Sequence, residues 1–217
     1  MISADALCFD LDGTLIDSGD DLVQATIHSL HGLGIDPPPP EVIIGYVGGG
    51  ARGLLQDSMG EAATPERLEA GLAAFIDYYG SHLLDHTLPY PGVEEVLRHF
   101  FATRPLAVIT NKPEAFSRTI LEGLELAGYF REILGYDSVE RKKPHPEGIL
   151  QALHGWGVEP TRAVMVGDSD HDILAGKAAG TVTVAVAYGF KSPEELASLG
   201  PDYLIHDIRE LIELVQP

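Results

Sequence analysis

The chain has 217 residues, 45% of them hydrophobic and 22% charged, which is the composition of a globular protein. Thirty-three acidic and 14 basic residues give a formal net charge of −19, and a surface of that sign repels nucleic acid and anionic membranes. No run of the sequence approaches the ~18 apolar residues of a membrane span. The first residues do not resemble a signal peptide, and the single cysteine, Cys8, allows no internal disulfide, so we expect a cytoplasmic protein.

Short apolar runs without polar alternation recur along the chain and predict strands buried on both faces, as in a parallel sheet. The predicted strands are 6–9, 106–110, 132–135, 163–166 and 181–187. Helical stretches lie between them at 113–126, 146–156 and 171–179. The alternation predicts an α/β fold with a doubly wound parallel sheet, in which ligands bind beyond the carboxyl ends of the strands.

The stretch from residue 16 to residue 86 interrupts this alternation. It contains amphipathic helical patterns at 20–33 and 65–84, joined by a segment with four consecutive prolines and a glycine triplet, and no convincing buried strand. We interpret it as a small helical domain inserted after the first strand. The predicted organisation is an α/β core formed by residues 1–15 and 87–217, and a helical cap domain formed by residues 16–86.

The motif FDLDGTL places Asp10 and Asp12 directly after the first predicted strand. A carboxylate there can attack phosphorus and form an aspartyl-phosphate. A second carboxylate two residues on can protonate the leaving oxygen and then deprotonate the attacking water. Gly13 permits a tight turn in which successive N–H groups can approach phosphate oxygens, so Gly13 and Thr14 are predicted to bind the substrate. On its own, the motif leaves open an ordinary Asp-Gly turn.

A second apolar strand ends in the acids of VMVGDSDHD. Mg²⁺ takes oxygen ligands, few of them from protein, and keeps several waters. We predict a Mg²⁺ site formed by the carboxylates of Asp10 and Asp168 and by the main-chain carbonyl of Asp12. Asp172 lies four residues after Asp168 and can face the same site, so we count it among the metal-site acids. The dication relieves the repulsion between the acids, whereas a helix N-cap is their alternative role.

Two further segments carry polar side chains, AVITNKP at a predicted strand end and RKKPHPEG, whose alternative role is a solvated basic loop. In AVITNKP, Thr110 and Asn111 are predicted to bind a phosphate oxygen, although the segment alone is equally typical of a strand-to-helix turn. In RKKPHPEG, a lysine precedes a stiff Pro-x-Pro frame that can aim its ammonium group at the transferring phosphoryl group. Either Lys142 or Lys143 can be this lysine, and Lys143 stands directly before the proline.

These four elements, in this order, resemble the motifs of the haloacid dehalogenase superfamily of phosphohydrolases, whose core is Rossmann-like. The resemblance covers essentially the whole chain, including the helical insertion. By position, the resemblance implies that Asp10 is the nucleophile and Asp12 the general acid/base. It implies that Thr110 binds the phosphate and that Lys143 is the lysine of the third motif. It implies that Asp168 is a metal ligand and Asp172 its supporting acid.

Further features bear on the branch of the superfamily. Region 16–86 contains no lysine, which excludes the usual Schiff-base chemistry of the phosphonate-hydrolysing branch, and Asp12 argues against the dehalogenase branch. VGGGARGLL and the tail AYGFKSPEELASLGPDYLI are similar to segments of bacterial phosphoglycolate phosphatases. Arg52, in the first of these segments, is predicted to contact a second anionic group of the substrate, and ending a helix is its alternative role.

We therefore expect a Mg²⁺-dependent phosphatase of a small phosphorylated metabolite, with 2-phosphoglycolate as the leading candidate. Nucleotides, pyrophosphate and sugar phosphates are the alternative substrates. A phosphomutase and a non-catalytic, phosphate-binding regulatory protein are the alternative functions on the same fold. The sequence leaves the oligomeric state open.

Overall fold

The computed structural model describes residues 1–216, and the chain divides into two compact units. Residues 1–17 and the chain from residue 89 onward form the core unit, and residues 18–88 form the helical unit. Each crossing between the units lies two residues after the predicted boundary. At the first crossing the two additional core residues form the short strand Ile16–Asp17, and the second crossing falls within the short strand Leu88–Pro89. Neither strand carries a pattern of its own in the sequence.

The described chain contains ten strands and ten α-helices. The strands are β1 (Ile2–Ser3), β2 (Ala6–Phe9), β3 (Ile16–Asp17), β4 (Leu88–Pro89), β5 (Leu106–Ile109), β6 (Glu132–Leu134), β7 (Ala163–Gly167), β8 (Val182–Val186), β9 (Tyr203–Ile205) and β10 (Val215–Gln216). The helices are α1 (Gly19–Gly32), α2 (Pro40–Gly45), α3 (Ala51–Met59), α4 (Pro65–Ser81), α5 (Val93–Phe101), α6 (Glu114–Gly123), α7 (Glu147–Trp156), α8 (Asp170–Ala179), α9 (Pro193–Ser198) and α10 (Glu210–Leu214). Among residues 1–216, no helix combines the length and hydrophobicity needed to cross a bilayer.

The core unit is built on a six-stranded sheet in the order β6-β5-β2-β7-β8-β9. All its neighbouring strands are parallel. β2 lies inside the sheet, with Cys8 level with Ala107 of β5 and with Met165 of β7. The predicted α/β fold with a doubly wound parallel sheet is therefore confirmed. Two small sheets pair β1 with β10 and β3 with β4.

The strands β2, β5 and β7 are buried at every position, as short apolar runs without alternation predict. A cluster of buried side chains packs these strands with α7 and α8, and it includes Cys8, Ile109, Ile149, Met165 and Ala175. Five strands begin and end within one residue of their predicted bounds, namely β2, β5, β6, β7 and β8.

The helical unit is organised around α1, which packs mainly against α4. The two helices approach closely at Gly71, whose carbonyl oxygen accepts a hydrogen bond from the Ser29 hydroxyl at 2.7 Å. A Cβ atom on Gly71 would lie only 2.6 Å from the Met59 side chain. The proline segment is a connector only in part, because Pro40 is the first residue of α2, where proline is tolerated.

The order of the strands brings three polar side chains to one edge of the sheet. Asp10 follows β2, Thr110 follows β5 and Asp168 follows β7. Since these strands are adjacent and parallel, their carboxyl ends open on the same side.

Candidate active site

Asp10 lies directly after β2 and is buried. Its amide donates to the Val166 carbonyl oxygen at 2.9 Å, which continues the pairing with β7. The Nζ atom of Lys143 donates to its Oδ1 atom at 2.7 Å. Desolvation, reinforced by the Asp172 carboxylate and opposed by Lys143, raises the pKa of Asp10 to about 7. A further cation beside Asp10 would favour the ionised form that a nucleophile needs.

Lys143 is the lysine that reaches this carboxylate, since it is buried whereas Lys142 is exposed. Its Nζ atom also donates to Asp172 Oδ1 at 2.5 Å. Although burial favours the neutral amine, the carboxylates of Asp10 and Asp172 raise the pKa of Lys143. The side-chain amide of Asn111 donates to the Lys143 carbonyl oxygen at 3.1 Å, so it holds the lysine's own backbone.

Asp168 lies directly after β7, and Asp172 lies in the first turn of α8. Asp168 Oδ2 accepts the amide of Phe190 at 2.8 Å, and the Thr14 hydroxyl donates to Oδ1 at 3.4 Å. Asp172 Oδ2 accepts both the amide of Ser169 at 3.0 Å and its hydroxyl at 2.6 Å. Asp172 therefore does both things that the sequence suggested. One of its oxygens caps the start of α8 and the other accepts a hydrogen bond from Lys143 in the site.

The carboxylates of Asp10, Asp168 and Asp172 form a group whose oxygen atoms lie within 4.8 Å of one another. Within residues 1–216, the ammonium of Lys143 is the cation that these carboxylates contact, so full ionisation of all three leaves two negative charges to balance. Desolvation, with Asp172 and Asp10 adding to it, raises the pKa of Asp168 well above its usual value. Because buried carboxylate oxygens are the ligands that a hard divalent cation prefers, the residues present fit such an ion.

Asp12 is paired with a second lysine that the sequence analysis did not assign. Lys112 Nζ donates to Asp12 Oδ1 at 2.6 Å, with the lysine side chain 4% exposed and the carboxylate 13% exposed. The side chain of Asp12 is thus held by a cation, while its main-chain carbonyl as a metal ligand stays a prediction. Lys112 follows Thr110 and Asn111 at the end of β5, and this position beside two predicted site residues was the signal in the sequence that it belongs to the site.

The remaining residues of the first two motifs form turns. Gly13 has φ 79°, and its amide donates to the Ile16 carbonyl oxygen at 2.9 Å. The amide of Thr14 donates to the Leu11 carbonyl oxygen at 3.3 Å. The hydroxyl of buried Thr110 accepts the amide of Lys112 at 3.2 Å. The Gly13 and Thr14 amides and the Thr110 hydroxyl form local bonds, whereas the Asn111 amide and the Thr14 hydroxyl reach Lys143 and Asp168. Contacts of these four residues with substrate stay predictions.

Arg52 belongs to the helical unit, in the first turn of α3. Its guanidinium group forms an ion pair with Glu69 of α4, with both side chains about half-exposed or more. The two residues line a cavity of about 610 Å³ within the helical unit, together with Tyr46, Gln56 and others. A contact between Arg52 and substrate stays a prediction.

Three contributors to the site were not anticipated, namely Lys112, Ser169 and the loop that follows β8. Ser169 stands between predicted acids, so a capping motif of Ser with Asp three residues on could have revealed it. The loop after β8 carries no chemical signal, because its contribution is a backbone amide brought in from a distant part of the chain.

The model of the haloacid dehalogenase-like hydrolase family matches residues 7–186. The chain belongs to this family. The matched region contains every aspartate and lysine of the site described above, from Asp10 to Asp172.

Relatives that match nearly the whole chain carry the same name. A phosphoglycolate phosphatase of Neisseria meningitidis is 40% identical over 220 residues, covering 98% of this chain and 94% of that protein. One of Aquifex aeolicus is 38% identical over 210 residues, covering 96% and 95%. A solved structure described as a "predicted phosphoglycolate phosphatase" of Haemophilus somnus has a TM-score of 0.91 at 30% identity and covers 99% of each chain.

These findings confirm the resemblance seen in the sequence. The chain is a phosphatase of the phosphoglycolate phosphatase-like branch of its family. The non-catalytic alternative is therefore set aside.

Proposed function

We propose that this phosphatase is Mg²⁺-dependent, that it forms an aspartyl-phosphate on Asp10, and that its substrate is 2-phosphoglycolate. The observation that carries the proposal is the charge of the buried group. Asp10, Asp168 and Asp172 hold one lysine among them, so a dication restores neutrality and admits a phosphate dianion.

The carboxylates of Asp10 and Asp168 would hold the ion with the Asp12 carbonyl, beside Asp172. When bound, Mg²⁺ supplies Lewis-acid stabilisation of charge on the phosphoryl oxygens. The ammonium group of Lys143 supplies the same kind of stabilisation from the protein, because it already lies 2.7 Å from the attacking carboxylate.

The reaction then proceeds in two displacements at phosphorus. A carboxylate oxygen of Asp10 attacks, the ester P–O bond breaks, and its electron pair goes to the leaving oxygen, which takes a proton from Asp12. A water molecule next gives a proton to the Asp12 carboxylate and attacks the same phosphorus. The P–O bond to Asp10 breaks, which releases inorganic phosphate and restores both carboxyl groups.

The substrate assignment rests on relatives that are named phosphoglycolate phosphatase and that this chain matches over nearly their whole length. The proposal extends that activity to this chain. Arg52 is the proposed partner of the substrate's carboxylate. It lies in VGGGARGLL, and region 16–86 has only one other arginine, Arg67.

Replacing the nucleophile tests the mechanism. We expect Asp10→Asn to lose at least about a thousandfold in turnover of 2-phosphoglycolate and p-nitrophenyl phosphate, because the amide cannot attack phosphorus. Far-UV circular dichroism should be unchanged. Asp170→Asn is the matched control, since that carboxylate is half-exposed and lies outside the group. Acid-quenched wild-type enzyme should carry a phosphoryl group on the peptide that contains Asp10. Retained turnover in the Asp10 variant would refute the assignment.

A substrate screen tests the specificity. We expect kcat/KM for 2-phosphoglycolate to exceed that for nucleotides, pyrophosphate and sugar phosphates by at least about tenfold. Arg52→Ala should raise KM for 2-phosphoglycolate and leave KM for p-nitrophenyl phosphate, which has no carboxylate, nearly unchanged. Arg67→Ala, in the same unit, is the control. A product that is an isomerised phosphate ester, with little free phosphate, would instead indicate a mutase.

A further inference from the structure

We propose that the loop after β8, residues 187–190, is a positioning element that fixes the Asp168 carboxylate for metal binding through the Gly189–Phe190 peptide. The inference rests on the proposed function, because it assigns a role toward the divalent ion. It concerns a loop that belongs to none of the four motifs and whose contribution comes from the main chain.

The first observation is a hydrogen bond from the loop to the proposed ligand. The amide of Phe190 donates to Asp168 Oδ2 at 2.8 Å, across 22 residues of chain. A bond from a backbone amide to a carboxylate is charge-assisted and directional. Oδ1 accepts only the longer 3.4 Å bond from the Thr14 hydroxyl, so the bond from the loop is the shorter of the two that fix the orientation of this carboxylate.

The second observation is the space around the carboxylate. A Cβ atom built on Gly189 would lie 2.4 Å from Asp168 Cβ and 2.4 Å from the Gly13 carbonyl oxygen. A Cβ atom on Gly13 would lie 2.1 Å from Asp168 Oδ2. The Asp168 side chain is therefore confined between two glycine backbones, one from the nucleophile's turn and one from the loop.

The third observation is that the loop is anchored at two points. At its start, the amide of Ala187 donates to the Ile205 carbonyl oxygen at 2.8 Å, which extends the pairing of β8 with β9. In its middle, the Tyr188 hydroxyl donates to the Thr14 carbonyl oxygen at 2.8 Å. The Tyr188 ring also packs against Tyr90, with 4.8 Å between ring centroids. The peptide that contacts Asp168 is thus fixed relative to the turn that follows Asp10.

A methyl group at position 189 tests the confinement. We expect Gly189→Ala to bind Mn²⁺ about 10–100-fold more weakly than wild type, the loss typical when a partner that orients a metal ligand is disturbed. Free Mn²⁺ is measured by electron paramagnetic resonance during titration of the whole protein. Gly155→Ala is the matched control, because a Cβ atom there meets nothing within 4 Å. Its Mn²⁺ affinity should equal that of wild type.

Turnover as a function of metal concentration separates positioning from general damage. In Gly189→Ala the Mg²⁺ concentration giving half-maximal activity should rise in parallel with the loss of Mn²⁺ affinity. The kcat at saturating metal should recover most of its wild-type value. A folded Gly189→Ala protein with wild-type Mn²⁺ affinity overturns the inference.

An ester in place of the 189–190 peptide isolates the hydrogen bond. Phenyllactic acid at position 190 keeps the phenyl side chain and removes only the N–H group, so it adds no volume beside Asp168. We expect a severalfold loss of Mn²⁺ affinity, and an unchanged affinity overturns the inference. This variant decides the question if Gly189→Ala does not fold.

The Asp168→Asn variant distinguishes this inference from the proposed function. If wild type binds Mn²⁺ no better than Asp168→Asn, the metal site itself is refuted, and the inference with it. If Asp168→Asn loses the ion while Gly189→Ala and the ester protein keep it, the metal site stands and only the positioning role is refuted.

Discussion

At the level of single residues, the site divides its two lysines between different acids. Lys143 contacts Asp10 and Asp172, and Lys112 contacts Asp12. Asp10 and Asp168 could be predicted from the sequence because each directly follows an apolar strand, at the sheet edge where ligands bind in such folds. The partner of Asp12 could not, since a lysine beside a strand-to-helix turn is usually solvated. Only the fold brings Lys112 Nζ to within 2.6 Å of that carboxylate.

Removing the Lys112 ammonium should damage both stability and proton transfer. Lys112→Met leaves the Asp12 carboxylate without this partner in a largely buried position, so we expect the free energy of unfolding to fall by about 3 kcal/mol. Because Asp12 is the proposed acid, kcat should fall at least about tenfold more for 2-phosphoglycolate than for p-nitrophenyl phosphate, whose phenolate leaves without a proton. Thermal unfolding and steady-state kinetics measure the two effects.

Lys142→Met is the control for that substitution, because Lys142 is an exposed lysine of the same unit. It should match wild type in both measurements. An equal loss of kcat on the two substrates in Lys112→Met would show that Lys112 does not act through Asp12.

At the level of elements, the pattern of hydrophobic residues predicted the bounds of strands and helices only where burial determines them. The central strands have sharp bounds because each apolar run is buried on both faces. The end of α6 was predicted three residues too late, at 126 instead of Gly123. Glu125 adopts φ 60° there, and a non-glycine residue gives no warning of a left-handed conformation. The two-residue strands have no periodicity at all.

The contact of α8 with the sheet depends on a glycine. A Cβ atom on Gly176 would lie 2.7 Å from the Thr183 methyl carbon and 3.0 Å from Met165 Cβ. Thr183 cannot easily turn away, because its hydroxyl donates to Asp202 at 2.8 Å. We expect Gly176→Ala to lower the free energy of unfolding by about 1–3 kcal/mol through overpacking, despite the better helix propensity of alanine.

Gly155→Ala again supplies the comparison, since α7 leaves open space at that position. It should raise the free energy of unfolding by about 0.5–1 kcal/mol. Both values come from urea or thermal unfolding monitored by circular dichroism. A stabilising Gly176→Ala would mean that the helix can move away from β8 at little cost.

Asp21, in the first turn of α1, links the beginning of the helical unit to its end through hydrogen bonds. The carboxylate accepts the amides of His86 and Thr87 at 3.0 and 2.9 Å and the Thr87 hydroxyl at 2.7 Å. Desolvation opposes the charge, but the bonds from Thr87 and His86 hold the pKa of Asp21 below 3.8. Because the folded-state pKa is lowered, this carboxylate stabilises the protein above 3.8, and the stabilisation is lost as pH falls through the folded-state value.

Asp21→Asn should therefore cost about 1–3 kcal/mol at neutral pH, since the amide cannot accept all of these bonds. The difference from wild type in melting temperature should shrink as the pH is lowered below 3.8, where wild type loses the same charge. Asp20→Asn, exposed in the same turn, should melt as wild type does at each pH. A difference independent of pH would refute the electrostatic explanation.

At the level of the whole molecule, charge is the dominant property. A formal net charge of −19 opposes compactness, and three of the acidic residues that make it up are clustered in the proposed metal site. Both contributions should respond to cations, but in different ways. Screening needs only ionic strength, whereas the site needs a divalent ion in a defined place.

We expect Mg²⁺ to raise the stability of the protein by about 2.7 kcal/mol at a hundredfold excess over its dissociation constant. Sodium chloride at matched ionic strength should give only the smaller, gradual rise due to screening. Asp168→Asn should keep the salt response and lose the response specific to Mg²⁺. Differential scanning fluorimetry measures all three. Equal effects of Mg²⁺ and matched salt on wild type would contradict the site.

The position of β2 inside the sheet has a consequence for biosynthesis. Cys8 pairs with Ala107 and Met165, so at ~5–20 residues per second the ribosome supplies its last neighbour roughly 8–30 s after making β2. The contiguous helical unit can fold during that wait and β5 can pair with one edge of Ala6–Phe9, while the other edge has no partner until β7 is made. A nascent chain that stalls before residue 163 therefore exposes the edge of β2 that β7 would cover, which makes it a target for chaperones and proteases.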